Sequence, residues 1–151
     1  FKCPDENGRL GVNCNGEWIW QSNLDSWVLS EEKTFLYCIR LLEVPLLQIE
    51  KQLQARVGCI INEQDIFNVF PFYEIVSFAF KNSSLYWFEL AYAWFEKFSF
   101  ENKQRLITIL KTKACNKMLP QKWRHKISKD ISKVNAYFES ISGCKYPDFY
   151  L

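Results

Sequence analysis

Residues 66–100 read IFNVFPFYEIVSFAFKNSSLYWFELAYAWFEKFSF and hold 14 of the chain's 26 aromatic side chains. A surface helix of a globular protein shows one apolar stripe, so a stretch this apolar must be buried on most sides or wrapped around something. Lys81-Asn82-Ser83-Ser84 divides it into two helices, with Ser as the N-cap of the second. Asn68, Pro71, Glu74 and Glu89 interrupt both halves, and neither reaches the roughly 20 apolar residues a spanning helix needs. The helix predicted over 84–98 has Leu85, Trp87, Phe88, Leu90, Ala91, Trp94, Phe95 and Phe98 on nearly every side, so it is expected at the centre of the core.

Upstream, Ser30-Glu31-Glu32 reads as an N-cap with acids in the first turn. Phe35, Leu36, Cys38, Ile39 and Leu42 follow at helical spacing. Pro45 suits the first turn of a second helix, with Leu46, Ile49, Leu53 and Val57 on one face and Gly58 as its stop. Glu50, Lys51, Gln54 and Arg56 take its other faces. Asn62-Glu63-Gln64-Asp65 begins the third helix, in which Pro71 predicts a kink or a short separate first turn.

Downstream, Ser99 caps a fifth helix with the stripe Leu106, Ile109, Leu110 and Ala114. Pro120 opens a sixth, striped by Trp123, Ile127, Ile131, Val134, Phe138 and Ile141 and stopped by Gly143. Short links make consecutive helices antiparallel. The expected class is all-α: about six helices as stacked antiparallel αα-hairpins, HEAT-like or a compact bundle. No repeat of 20–50 residues is visible, so the stacking is a geometric expectation.

Residues 1–29 differ. Gly8, Gly11 and Gly16 with Asn7, Asn13 and Asn15 mark turns, and Glu17 to Gln21 alternates weakly, as a short strand or extended clip. This irregular N-terminal arm is expected to be anchored by Trp18, Trp20 and Trp27 on a helical domain over 30–151, the whole forming one domain. An exposed aromatic binding patch is the other use for these rings. A chain opening at Phe1 without Met is expected to be trimmed or processed, and no signal-peptide pattern is visible.

Charge is divided unevenly. Residues 1–100 carry 8 basic and 13 acidic side chains, residues 101–151 carry 11 and 4. Lys103, Arg105, Lys111, Lys113, Lys117, Lys122, Arg124, Lys126, Lys129 and Lys133 face only Glu101 and Asp130 over 101–133. Such a run is either a solvated face, a docking patch for an acidic partner, or a track for a phosphate backbone. Lys outnumbers Arg and aromatics do not alternate with the cations, which counts against stacking platforms for nucleic acid.

Catalysis finds no constellation here. The only His, His125, sits among cations with no marked carboxylate partner, and no phosphate-binding glycine loop occurs. Paired acids at Glu31-Glu32, and Glu63 with Asp65, lie at helix N-termini, where capping accounts for them. Of Cys3, Cys14, Cys38, Cys59, Cys115 and Cys144, none forms a CxxC pair, so no metal site and no cofactor are expected. Cys38 and Cys115 fall on apolar helix positions, Cys3 and Cys14 are the best-placed pair for a bridge, and reduced thiols are the expectation.

Three strings carry a family resemblance: Phe70-Pro71-Phe72-Tyr73-Glu74; Tyr86-Trp87 with Leu90-Ala91 and Trp94-Phe95; and Leu119-Pro120-Gln121-Lys122 with Arg124-His125-Lys126. Through them residues 62–141 resemble a helical immunity protein of contact-dependent inhibition or related polymorphic toxin systems of bacteria. The resemblance implies a cytoplasmic, non-catalytic protein that binds a cognate toxin domain, often a nuclease, and blocks it, with no membrane partner. Inhibitors of basic nucleases usually present acids. Glu31, Glu32, Glu43, Glu50, Glu63, Asp65 and Glu74 are therefore one candidate docking set, and Lys122, Arg124, Lys126 and Lys129 the other. The alternatives are a helical-repeat nucleic-acid-binding module using the basic 101–133 face, and a secreted disulfide-bonded protein with an aromatic-lined pocket.

Overall fold

In the computed structural model, which describes residues 8–22, 25–30, 32–57, 70–82 and 84–142, the chain is predominantly α-helical with an N-terminal arm, and the arm's described residues include a three-stranded antiparallel sheet. Strands β1 (Gly8–Val12), β2 (Trp18–Ser22) and β3 (Ser26–Val28) lie in the order β1-β2-β3. The weakly alternating Glu17–Gln21 becomes the central strand. Its first turn is closed by Asn13, whose side-chain oxygen accepts from the N–H groups of Asn15 (3.0 Å) and Glu17 (2.9 Å). Gly16 supplies the one backbone step at positive φ, 80°, that this turn needs. Leu10 pairs with Trp20 in register, and both are buried on the same face of the pleat. The arm is anchored as expected: Trp18 meets Phe70 edge-on at 5.0 Å, and Trp27 stacks on Tyr37 at 4.7 Å.

The described residues form six helical segments. The first, Glu32–Glu43, is a 3-10 helix instead of the expected α-helix. Its sequence explains this. Phe35-Leu36, Cys38-Ile39 and Leu41-Leu42 repeat every three residues, with Tyr37, Arg40 and Glu43 between them, and three residues make one 3-10 turn. Phe35, Cys38 and Leu41 are buried in one row, with Ile39 and Leu42 beside them.

Helix α1 (Leu46–Val57) starts after Pro45, whose carbonyl accepts from Gln48 and Ile49, and buries Leu46, Ile49 and Leu53 as expected. The capping sequence at 62–65, Gly58 and the first part of the third helix lie outside the described residues. Helix α2 (Phe72–Asn82) begins directly after Pro71, which accepts from Ile75 N–H at 3.1 Å, as a proline at a helix start allows. Helix α3 (Leu85–Lys97) follows and packs on α2, while the 3-10 helix packs on both.

The core of this part is aromatic. Phe80 contacts Phe88, Tyr92 and Phe95 at centroid distances of 5.2–6.2 Å, and Phe72 contacts Phe70 and Trp94. Helix α3 is not buried all round, however. Phe88, Ala91, Tyr92, Trp94 and Phe95 face inward, while Leu85, Tyr86 and Ala93 are exposed.

Packing divides the chain into two units, Phe1–Lys97 and Phe98–Leu151. The second is an αα-hairpin of α4 (Phe100–Cys115) and α5 (Gln121–Ser142). Ser99 caps α4 as expected, accepting from Asn102 N–H at 3.3 Å. The buried row of α4 is Leu106, Ile107 and Leu110, with Ile109 only half-buried. On α5 only Ile127 and Val134 of the expected stripe are fully buried, and Ile141 is 64% exposed. Phe100, at the start of α4, stacks on Tyr137 at 4.2 Å, so the last turn of α5 runs past the end of its partner helix. No helix among the described residues is long and apolar enough to cross a membrane.

Candidate functional site

Where the 3-10 helix ends and α1 begins, the chain bends at Val44, just before Pro45. Beside this bend lies an open cleft of about 550 Å³ inside the first unit. Leu42, Leu46 and Trp94 form its buried floor. Val44, Leu47, Leu90 and Ala93 line the walls, and Leu47 is 61% exposed. Glu43, Glu50 and Lys97 stand among the lining residues as its charged groups. Trp94 fixes the cleft by donating its indole N–H to the Val44 carbonyl at 3.0 Å, which satisfies a backbone acceptor left over at the bend.

Glu43 is held at the edge from two sides. Tyr86 donates its hydroxyl to it at 3.0 Å, and Arg40 pairs with it at 3.7 Å. The hydrogen bond to Glu43 raises the Tyr86 phenol above the ordinary tyrosine value, with desolvation and the carboxylate's charge acting the same way and Arg40 against them. The arrangement offers apolar surface with carboxylates beside it. Among the described residues no group of His, Cys, Asp and Glu is placed to hold a metal ion.

The acids picked out in the sequence do not gather at one point. Glu43 and Glu50 meet at the cleft. Glu32 lies at the far end of the 3-10 helix, roughly 22 Å away along its axis. There it accepts from Asn82 at 3.1 Å and pairs with Lys81 at 3.3 Å. Glu74 sits half-buried in the first turn of α2. Glu31, Glu63 and Asp65 lie outside the described residues.

The basic set is split as well. Lys122, Lys126 and Lys129 share one side of α5. Arg124 projects roughly 140–160° away from them around the helix, and its Nε is buried with no hydrogen-bond partner among the described residues. Trp123 has Lys122 Nζ at 5.9 Å and Lys126 Nζ at 5.1 Å from its ring, so an aromatic does stand among the cations, contrary to the sequence expectation. At the start of α4, the Glu101 carboxyl is lowered, chiefly by its own backbone N–H and then by Ser99. His125 is exposed beside Gln121. Cys38 is buried, but Cys115 and Cys14 are exposed free thiols, and Cys3, Cys59 and Cys144 lie outside the described residues.

The cleft was missed in the sequence because Leu42, Leu46, Leu90 and Trp94 read simply as core. One signal was present: Leu47 is an apolar residue off the Leu46–Ile49–Leu53 stripe, where a surface helix would carry a polar one. Fold and cleft together define a predominantly α-helical protein with a small β arm and an apolar surface cleft. Compared with protein-family models, curated proteins and solved structures, the chain matches none.

Proposed function

We propose that this chain is a cytoplasmic immunity protein that neutralises a cognate bacterial toxin domain, nuclease in class, by binding it through the cleft of the first unit. The observation that carries the proposal is an apolar cleft, exposed at Leu47 and Ala93, whose lining includes Glu43 and Glu50 against the single cation Lys97. An interface of this kind takes an apolar anchor from the partner for affinity, while acids beside it speed the approach of a basic surface. Charge supports the same unit. The first unit holds the acidic excess, 13 acidic against 8 basic side chains, because residues 98–100 are uncharged. The resemblance of residues 62–141 to helical immunity proteins supports the class.

The test is to find whether a toxin C-terminal domain is encoded immediately upstream and to co-express it with this chain. Co-purification of the two products and protection of cells from that toxin are the expected results. A chain that protects against no neighbouring toxin would sink the proposal.

A further inference from the structure

We infer that the second unit carries a separate interaction surface, a lysine ladder along α5 that binds single-stranded nucleic acid. Lys122, Lys126, Lys129 and Lys133 recur at steps of four, three and four. On an α-helix this spacing confines them to an arc of roughly 60° and spreads them over roughly 16 Å, one every 5–6 Å. A row of cations at that interval can follow successive phosphates of an extended strand. Lys122, Lys129 and Lys133 are exposed and Lys126 is half-buried.

Trp123 lies against the ladder, half-buried, with Lys122 and Lys126 over its ring. An aromatic face between backbone-binding cations is the arrangement by which strands are bound without sequence preference. The opposing charges are Asp130, which pairs with Lys133 at 2.8 Å, Glu101 on α4, which accepts from the Tyr137 hydroxyl of α5 at 3.4 Å, and Glu139, roughly 110° round the helix from the ladder.

The hairpin argues against a lipid surface. A membrane-lying helix needs a free apolar face, and Ile127 and Val134 of α5 are already fully buried. Nor does this surface depend on the cleft of the first unit, so failure of the toxin experiment leaves it standing, and the reverse holds too.

The experiment is fluorescence anisotropy of a labelled oligodeoxythymidine of about 20 nucleotides with the full chain, titrated between about 50 and 200 mM salt. Three to four phosphates neutralised give a log–log slope of about −2 to −3, a 20- to 50-fold loss of affinity over that range. Lys126→Gln with Lys129→Gln makes the slope shallower by about 1.4 and weakens binding about 25-fold at 0.1 M salt. Gln keeps the helix, which circular dichroism verifies. Lys51→Gln with Lys111→Gln removes the same charge elsewhere and loses less than about threefold. A slope shallower than about −1, an equal loss in that control, or equal affinity for polyglutamate or anionic lipid vesicles overturns the inference.

Discussion

Leu41 and Leu36 separate a 3-10 helix from an α-helix at Glu32–Glu43. With 3.6 residues per turn, Phe35, Cys38, Ile39 and Leu42 share the buried face, and Leu41 lies roughly 120° from its centre. With three per turn, Leu41 falls in line with Phe35 and Cys38, and its exposure is 0%. Leu41→Ala deletes about three buried carbon groups, worth about 2.4 kcal/mol by transfer, and leaves a cavity that adds about 1.5–2 kcal/mol. The expected cost is about 4 kcal/mol. Leu36 is 57% exposed, so Leu36→Ala removes less than half as much buried surface and leaves no cavity. Its cost is below about 1 kcal/mol.

Urea unfolding followed by circular dichroism reads the difference directly. At a slope of about 2 kcal/mol/M, the midpoint drops by about 2 M for Leu41→Ala and by at most about 0.5 M for Leu36→Ala. Equal midpoints, or a larger loss at Leu36, would refute the three-residue reading and return the segment to an α-helix. A change in slope between the two variants would point instead to the unfolded state.

Other perturbations test the arm and the cleft. A Cβ at Gly8 would run into the indole of Trp20, whereas nothing lies within 4 Å of one at Gly11. Gly8→Ala should therefore cost about 1–3 kcal/mol in thermal unfolding, and Gly11→Ala should be nearly neutral. Because folding raises the Tyr86 pKa, the stability it contributes is complete below the ordinary tyrosine value and lost as pH rises through the raised one. Tyr86→Phe should flatten the alkaline limb of stability against pH, and an unchanged limb would dismiss the Glu43 hydrogen bond as its cause. Leu47→Arg, at an exposed cleft position, should change stability by less than about 0.5 kcal/mol and, under the proposed function, weaken binding of the cognate toxin domain at least about tenfold in calorimetry.

Periodicity made the helices legible, because burying one face imposes it wherever a single neighbour is packed against. Leu46–Ile49–Leu53 on α1 is such a case, while Ser99 was legible as the cap of α4 from its hydroxyl alone. It failed where two demands overlap. Helix α3 is apolar on two sides for two reasons, since Phe88, Tyr92 and Phe95 fill a core while Leu90 and Ala93 wall a cleft. A wheel cannot distinguish an apolar face covered by protein from one left open. The strict three-residue repeat at 35–42 was visible but shares Phe35, Cys38, Ile39 and Leu42 with the α pattern, so only Leu41 could tell them apart. Ile141 failed for a third reason: stripe continuity says nothing about where the partner helix ends.

The whole-chain charge of +2 is the difference between two units of opposite excess. The acidic excess of residues 1–97 belongs to the unit with the cleft, and the basic excess of 98–151 to the unit with the lysine ladder. On the two proposals, a basic protein and a phosphate strand would be drawn to different units of the same chain. Adding salt weakens both encounters, but in different ways. The ladder loses affinity through counterion release, in proportion to the phosphates it neutralises. Under the proposed function, the cleft would lose mainly association rate, because apolar contacts set the dissociation rate. A salt series that separates on-rate from off-rate consequently distinguishes the two surfaces without a single substitution.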